Sequence, residues 1–300
     1  MRARSGIVVL RIVLWLVVPF AASAQPAAPI VRHDTVTLQF RHISIKDGLS
    51  QGMVHAITQD RYGFMWFGTK DGLNRYDGYS FTVYRHDPAD STTVRNSFIN
   101  AVLEDRAGRL WVGTPTGLDV FDRATETFHH LPSTDEFAQV LGATPVSVLQ
   151  GHTVNHLACD AQNSIWVSTN HGITRIAAKA PNEPLDGPWG FTYVHSVQAI
   201  QAVMVDSRGW LRSATDDMPY AIDTQDPELR VHAMVEVGAK TDPNAREEGR
   251  PGNSALEDTV RGRLYNVHNR GVMEVDPATN ELRTLFEISH EAGIVTGHGA

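Results

Sequence analysis

Apolar and polar residues alternate in short runs along most of the chain, and turn-forming residues separate the runs. In the first unit, residues 54–58 alternate, and further apolar runs follow at 64–69, 73–76 and 81–84. Asp60 and Gly63 stand at the first and fourth positions of a turn, which is the residue preference of a type I turn. An Asp-Gly pair at 71–72 supplies the positive φ angle of a tight hairpin. The unit therefore predicts four short antiparallel strands.

The same unit recurs along the chain. Its turn aspartates are separated by 45, 55, 46 and 52 residues, and they are Asp60, Asp105, Asp160, Asp206 and Asp258. The first three copies are nearly identical, whereas Arg212 and Tyr265 replace a tryptophan in the last two. A unit of four strands at this period cannot bury its own apolar face and must stack on its neighbours, as the blades of a β-propeller do.

The fold predicted from the repeat is an all-β propeller of four-stranded antiparallel blades, with about five repeats and an incomplete ring. The blades are predicted near residues 53–85, 98–131, 154–195, 199–235 and 254–288. Three tryptophans share one place on the second strands, where each can bury about 200 Å² between adjacent blades. The residues predicted to be structural parts of the blades are these tryptophans and the turn residues, namely Trp66, Trp111, Trp166, Asp60, Asp105, Asp160, Gly63 and Gly108.

The first 24 residues have the features of a secretory signal peptide. Three arginines precede an apolar run at residues 12–20, and Ala22-Ser23-Ala24 fits the rule for cleavage after Ala24. The run is shorter than the roughly 20 residues of a membrane span. We therefore predict export to the periplasm, an N-terminal extension at 25–39 and propeller repeats at 40–300. Cleavage changes the net charge from −8 to −11, which argues against a nucleic-acid partner.

Several motifs resemble the two-component regulator propeller repeats of periplasmic bacterial sensors. They are Phe-Arg-His-Ile-Ser at 40–44, Asp-Gly-Leu-Ser-Gln-Gly at 47–52, Trp-Phe-Gly-Thr at 66–69 and Asp-Gly-Leu-Asn-Arg-Tyr-Asp-Gly at 71–78. A second repeat matches at 111–114 and 117–118. The resemblance covers residues 40–176 well and is weak beyond them.

The resemblance implies a periplasmic sensor input domain that transmits ligand binding to an output module. In this family a transmembrane helix and a histidine kinase or diguanylate cyclase usually follow a ring of seven blades, and the ligands are often glycans. We therefore expect a partial chain whose only link to a membrane is a missing C-terminal span. A small-molecule or glycan ligand and a homodimer of the full-length protein are the expected partners.

Propeller ligands commonly bind where the loops from second to third strands and the innermost strands converge. The candidate ligand-binding residues are His55, Lys70, Asp71, Asn100, Thr116, Asn155, Asn170 and His171. Turns favour several of these residue types in any case, so an ordinary structural role for each remains an alternative. His152 and His156 have a spacing seen in metal sites, but no third ligand lies near them in the sequence. We predict no metal and no cofactor.

A secreted glycoside hydrolase or lyase-like propeller is the enzymatic alternative. The turn aspartates look like the aspartate boxes of sialidases, but here Asp60 and Gly63 are three residues apart rather than two. The sequence does not assemble the nucleophilic tyrosine, acidic group and arginine cluster of that chemistry. We predict that the visible chain is not an enzyme, and a non-catalytic scaffold remains the third alternative.

Overall fold

The computed structural model describes residues 41–131, 153–170, 172–180, 183–185, 189–195, 200–215, 220–236, 254–268, 271–289 and 294–297. Within these ranges the chain forms β-strands and one short 3₁₀-helix, Ile45–Asp47, and it contains no α-helix. Ser44 caps this 3₁₀-helix, and Gly48 ends it with a φ of 109°.

Four sheets have four antiparallel strands each, in the order of the sequence. The first contains β1 (Val54–Gln59), β2 (Met65–Thr69), β3 (Gly72–Tyr76) and β4 (Phe81–Tyr84). The second contains β5 (Ala101–Glu104), β6 (Leu110–Thr114), β7 (Gly117–Asp122) and β8 (Thr127–His130). The third contains β9 (Val154–Cys159), β10 (Ile165–Thr169), β11 (Gly172–Ile176) and β12 (Phe191–His195). The fourth contains β13 (Ile200–Val205), β14 (Trp210–Thr215), β15 (Tyr220–Asp223) and β16 (Val231–Ala233).

The fifth sheet differs from the predicted four strands. Its antiparallel core is β18 (Ser254–Asp258), β19 (Arg263–His268), β20 (Gly271–Val275) and β21 (Glu281–Ser289). Two more strands, β17 (Val235–Glu236) and β22 (Ile294–Gly297), pair with β21, and β17 does so in parallel. They share the outer edge of β21 and pair with its residues 281–282 and 286–289, so they cover most of an edge that would otherwise invite association. The all-β fold of five sheets is otherwise as predicted and is consistent with an incomplete ring.

The hairpin between β2 and β3 shows how local sequence sets the geometry. Gly72 has a φ of 121°, a conformation that side chains other than glycine rarely adopt. Thr69 faces Gly72 across the turn, and its hydroxyl donates a hydrogen bond to the Gly72 carbonyl at 3.0 Å. Thr114 and Thr169 repeat this bond with Gly117 and Gly172 at 2.9 and 3.1 Å.

The hydrophobic core lies between successive sheets. The indole of Trp66 on β2 packs against Phe121 of the second sheet, with ring centroids 5.3 Å apart. Trp111 packs in the same way against the third sheet, and Trp166 against the fourth. All three indoles are at most 1% exposed. Burial of these large side chains supplies much of the free energy that holds one sheet on the next.

Each indole is also tied to the turn aspartate of its own sheet. The Nε1 of Trp66 donates to Oδ2 of Asp60 at 2.8 Å. The corresponding distances are 3.1 Å for Trp111 and Asp105 and 2.9 Å for Trp166 and Asp160. Oδ1 of each aspartate accepts backbone N–H groups of its own turn. One buried carboxylate therefore closes the turn and orients the indole.

The Asp60 carboxylate also forms an ion pair with an arginine of the second sheet. Arg123 donates to Oδ2 of Asp60 at 2.7 Å and to Oε1 of Glu104 at 3.1 Å. Burial alone would raise the pKa of Asp60, but the hydrogen bonds from Trp66 and Arg123 outweigh it and lower that pKa. Asp60 is therefore ionised at neutral pH, and its negative charge is matched by an arginine from the neighbouring sheet.

Candidate functional site

Three side chains from the first two sheets meet where the β2–β3 loop lies. His55 stands near the start of β1, Lys70 follows β2, and Phe98 precedes β5. The rings of His55 and Phe98 have centroids 4.9 Å apart at an angle of 45°. The Nζ of Lys70 lies 5.5 Å from the centroid of the Phe98 ring. His55 and Lys70 are exposed and Phe98 is half-buried, so the cluster is open to solvent.

The charge of Lys70 is not matched by a neighbouring carboxylate. In the described part of the chain, no aspartate or glutamate forms an ion pair with it. Its neighbour Asp71 is already engaged, because Arg85 donates to both of its oxygens at 3.2 and 3.0 Å. The hydrogen bond with Asp71 raises the pKa of Arg85. Lys70 is therefore the available cation of the cluster.

The other predicted ligand residues lie along neighbouring sheets. Asn100 donates from Nδ2 to the backbone carbonyl of Val154 at 2.9 Å, so it joins the second sheet to the third. The backbone N–H of Thr116 donates to the hydroxyl of Thr114 at 3.2 Å. Asn155 is half-buried on β9, and Asn170 is exposed in the β10–β11 loop. His171 lies outside the described residues. The structure thus brings His55 and Lys70 together, and it places Asn100 in an inter-sheet contact.

Phe98 was not among the predicted ligand residues, although it brings His55 and Lys70 into one cluster. Its counterpart in the first repeat is Met53, 45 residues earlier. An apolar side chain at this place before the innermost strand is the signal that could have identified it.

A second polar group joins the chain before β5 to the second sheet. Asp119 is fully buried and accepts from Nε of Arg95 at 2.9 Å and from the backbone N–H of Arg95 at 2.8 Å. Nδ1 of His130 lies 2.7 Å from Oδ1 of Asp119. In the first repeat, the N–H of Ser50 donates to Oδ1 of Asn74 at 2.8 Å in the same way. Since the contact recurs between repeats, its role is to attach the preceding segment to the sheet.

No group of three or more histidine, cysteine, aspartate or glutamate side chains with metal-binding geometry is found in the described ranges. Of the two histidines with metal-like spacing, His152 lies outside those ranges and His156 is on β9. Surrounding protein atoms lower the pKa of His156 by desolvation, although part of its side chain is exposed to solvent. The described residues also include no helix long and apolar enough to cross a bilayer.

Comparison with known proteins connects these sheets to one kind of repeat. The family model of the two-component regulator propeller matches residues 48–71 and 93–116. A histidine kinase P4 of Formosa agariphila is 49% identical over 55 residues, which are 18% of this chain and 4% of that protein.

Solved structures share the fold at low sequence identity. The extracellular domain of a hybrid two-component system of B. thetaiotaomicron has a TM-score of 0.62 at 20% identity, over 81% of this chain and 31% of that one. PorZ, a component of the type IX secretion system of Porphyromonas gingivalis, has a TM-score of 0.53 at 14% identity, over 80% and 34%. An inactive virginiamycin B lyase of Staphylococcus aureus has a TM-score of 0.50 at 10% identity, over 82% and 83%.

The described sheets define a β-propeller protein. More specifically, the chain carries two-component regulator propeller repeats, as the motifs in the sequence predicted. It spans 4% of the length of the kinase and 31% of the length of the extracellular domain of the hybrid two-component system. These matches identify the repeats, and the activity and partners of the whole protein are proposals.

Proposed function

We propose that this chain is the ligand-sensing input domain of a two-component-type signal transduction protein. The observation that carries the proposal is the pair of regulator propeller repeats, together with the local identity to a histidine kinase. Ligand binding passes to an output module outside this sequence. The proposal includes that the domain itself is not an enzyme, and the regulator propeller repeats and the local identity to a histidine kinase support this.

The proposed mechanism is a shift between two arrangements of a homodimer of the full-length protein. A ligand shifts such an equilibrium only by the difference between its affinities for the two states. The open cluster of His55, Lys70 and Phe98 supports a role for the β2–β3 loop in binding a small molecule or glycan.

The test uses the full-length protein and a transcriptional reporter of its output. Deletion of residues 40–300 should abolish the response to the inducing growth substrate. Immunoblotting should show that the remaining protein accumulates normally. An unchanged response after this deletion would rule out the sensor function.

We also propose that the domain works in the periplasm after cleavage near Ala24. The arginines before the apolar run and the small residues after it support export. N-terminal sequencing of protein from the periplasmic fraction should begin at Gln25. Recovery of a chain that retains residues 1–24 in the cytoplasm would contradict export.

A further inference from the structure

We propose that His55, Lys70 and Phe98 form a subsite for a ring-bearing carboxylate, such as an acidic sugar or an aromatic acid. This inference rests on the proposed function, because it takes the domain to be the ligand-binding part of a sensor. It goes further by naming the chemistry of the ligand and the side chains that contact it.

The first argument is that these residues depart from the repeat. Framework positions are preserved at the 45-residue step between the first two copies, as Trp66 and Trp111 show. The subsite positions are not preserved. The residue 45 positions after His55 is Asn100, and the residue 45 positions after Lys70 is a proline. Both copies fold into equivalent sheets, so the fold does not require histidine or lysine here. Departures from a structural pattern that converge at one place are expected at functional sites.

The second argument concerns His55. Its counterpart Asn100 bonds the next sheet through the Val154 carbonyl. His55 instead turns its ring toward Phe98, with the centroids 4.9 Å apart. Among the described residues, neither ring nitrogen of His55 forms a hydrogen bond. The imidazole can therefore contribute an apolar face beside Phe98 and a hydrogen bond to a ligand.

The third argument is the distribution of charge. Lys70 places an ammonium group 5.5 Å from the centre of the Phe98 ring. The nearby Asp71 carboxylate is held by Arg85 at 3.0 Å, which reduces its repulsion of an incoming anion. A carboxylate can bind to Nζ of Lys70 while the ring that bears it stacks on Phe98. A neutral ligand would use only the stacking half of this arrangement.

Isothermal titration calorimetry with the exported chain tests the proposal. The probes are digalacturonate and 4-hydroxybenzoate, each compared with its uncharged methyl ester. At least one acid should bind about tenfold more tightly than its ester, since a hydrogen bond to a charged group is lost in the ester. The acid that binds also distinguishes the sugar source from the aromatic source.

Variants separate the two halves of the subsite. Lys70→Met should weaken binding of the acid about tenfold and leave binding of the ester unchanged. Phe98→Ala should weaken both. Lys46→Met removes the same charge from an exposed lysine of the 3₁₀-helix and should leave both affinities unchanged. Circular dichroism should show that every variant keeps the β-sheet spectrum of the parent chain.

Three results would overturn the proposal: equal affinity for acid and ester, equal losses in Lys70→Met and Lys46→Met, or no binding of any probe. None of these results depends on signalling. The deletion experiment on the full-length protein can therefore support the sensor function even if this ligand class is wrong.

Discussion

Nε of Arg212 donates a hydrogen bond to Oδ2 of Asp206 at 3.0 Å. In the three preceding sheets the corresponding aspartate oxygen accepts an indole N–H instead. Arg212 therefore keeps the hydrogen bond of the tryptophan it replaces, and it adds a bond from Nη1 to Asn280 of the fifth sheet. The replacement of tryptophan by arginine places a positive charge in the protein interior, since the Arg212 side chain is only 3% exposed.

Removal of Asp206 should be costly because it would leave this charge unpaired. Burial lowers the pKa of Arg212, and the attraction of Asp206 opposes that effect. Asp206→Ala should lower the free energy of unfolding by about 3–5 kcal/mol, as expected for one partner of a buried ion pair. Urea denaturation followed by circular dichroism measures the change.

Asp258→Ala is the matched control at the same turn position of the fifth sheet. Asp258 pairs with Arg261, whose side chain is 73% exposed. Its loss should cost only about 1 kcal/mol, since exposed pairs contribute little. Equal losses in the two variants would show that the buried charge at Arg212 does not set the cost.

Gly113 should not tolerate even one methyl group. A Cβ at this position would lie 2.5 Å from Cγ1 of Val154 in the next sheet. Gly113→Ala should therefore destabilise the protein by about 1–3 kcal/mol through overpacking. The double variant with Val154→Ala should lose less than the sum of the two single losses, because the smaller side chain relieves the clash. Urea denaturation of all three variants completes this cycle.

Gly52→Ala is the control for the added methyl group. No atom lies within 4 Å of the Cβ it would carry, so its effect should stay within about 0.5 kcal/mol. If Gly113→Ala were as mild as Gly52→Ala, the sheets would not pack as closely as the structure indicates.

Tyr84 should make stability fall at alkaline pH. Burial raises the pKa of Tyr84 to about 12, so the folded state disfavours the phenolate. In the unfolded state the tyrosine phenol ionises near pH 10. The contribution of Tyr84 is therefore fully present below pH 10 and is lost as the pH rises toward 12.

Urea denaturation between pH 8 and pH 12 measures this dependence in the parent chain and in Tyr84→Phe. The variant cannot ionise at this position, so its stability should fall less steeply above pH 10. Parallel curves for the two proteins would contradict the raised pKa.

Local features of the sheets could be predicted well from the sequence. The bond between Asp60 and Trp66 spans six residues within a single hairpin, so both residues follow from one turn motif. The hairpin at Gly72 has the same local origin. Such contacts involve residues that are close together in the sequence, and the Asp–Trp bond recurs in the first three copies, where the same residues recur.

Contacts between distant segments could not be predicted in this way. The parallel pairing of β17 with β21 joins residues more than 40 positions apart and carries no turn motif. The meeting of Lys70 with Phe98 likewise depends on which sheet lies beside the first. Lys70 and His55 were candidates from their loop and strand positions, but Phe98 was not.

The strands, the turns and the need for each sheet to stack on another follow from the sequence, because period, turn chemistry and apolar alternation are local properties. Which side chains of neighbouring sheets meet is set by the way the sheets pack in three dimensions. The indoles pack between sheets, and Arg212 makes the hydrogen bond that an indole makes in the preceding sheets. Phe98 contacts His55 and Lys70 in a cluster that is open to solvent. These contacts depend on how two sheets approach each other, which short-range patterns do not encode.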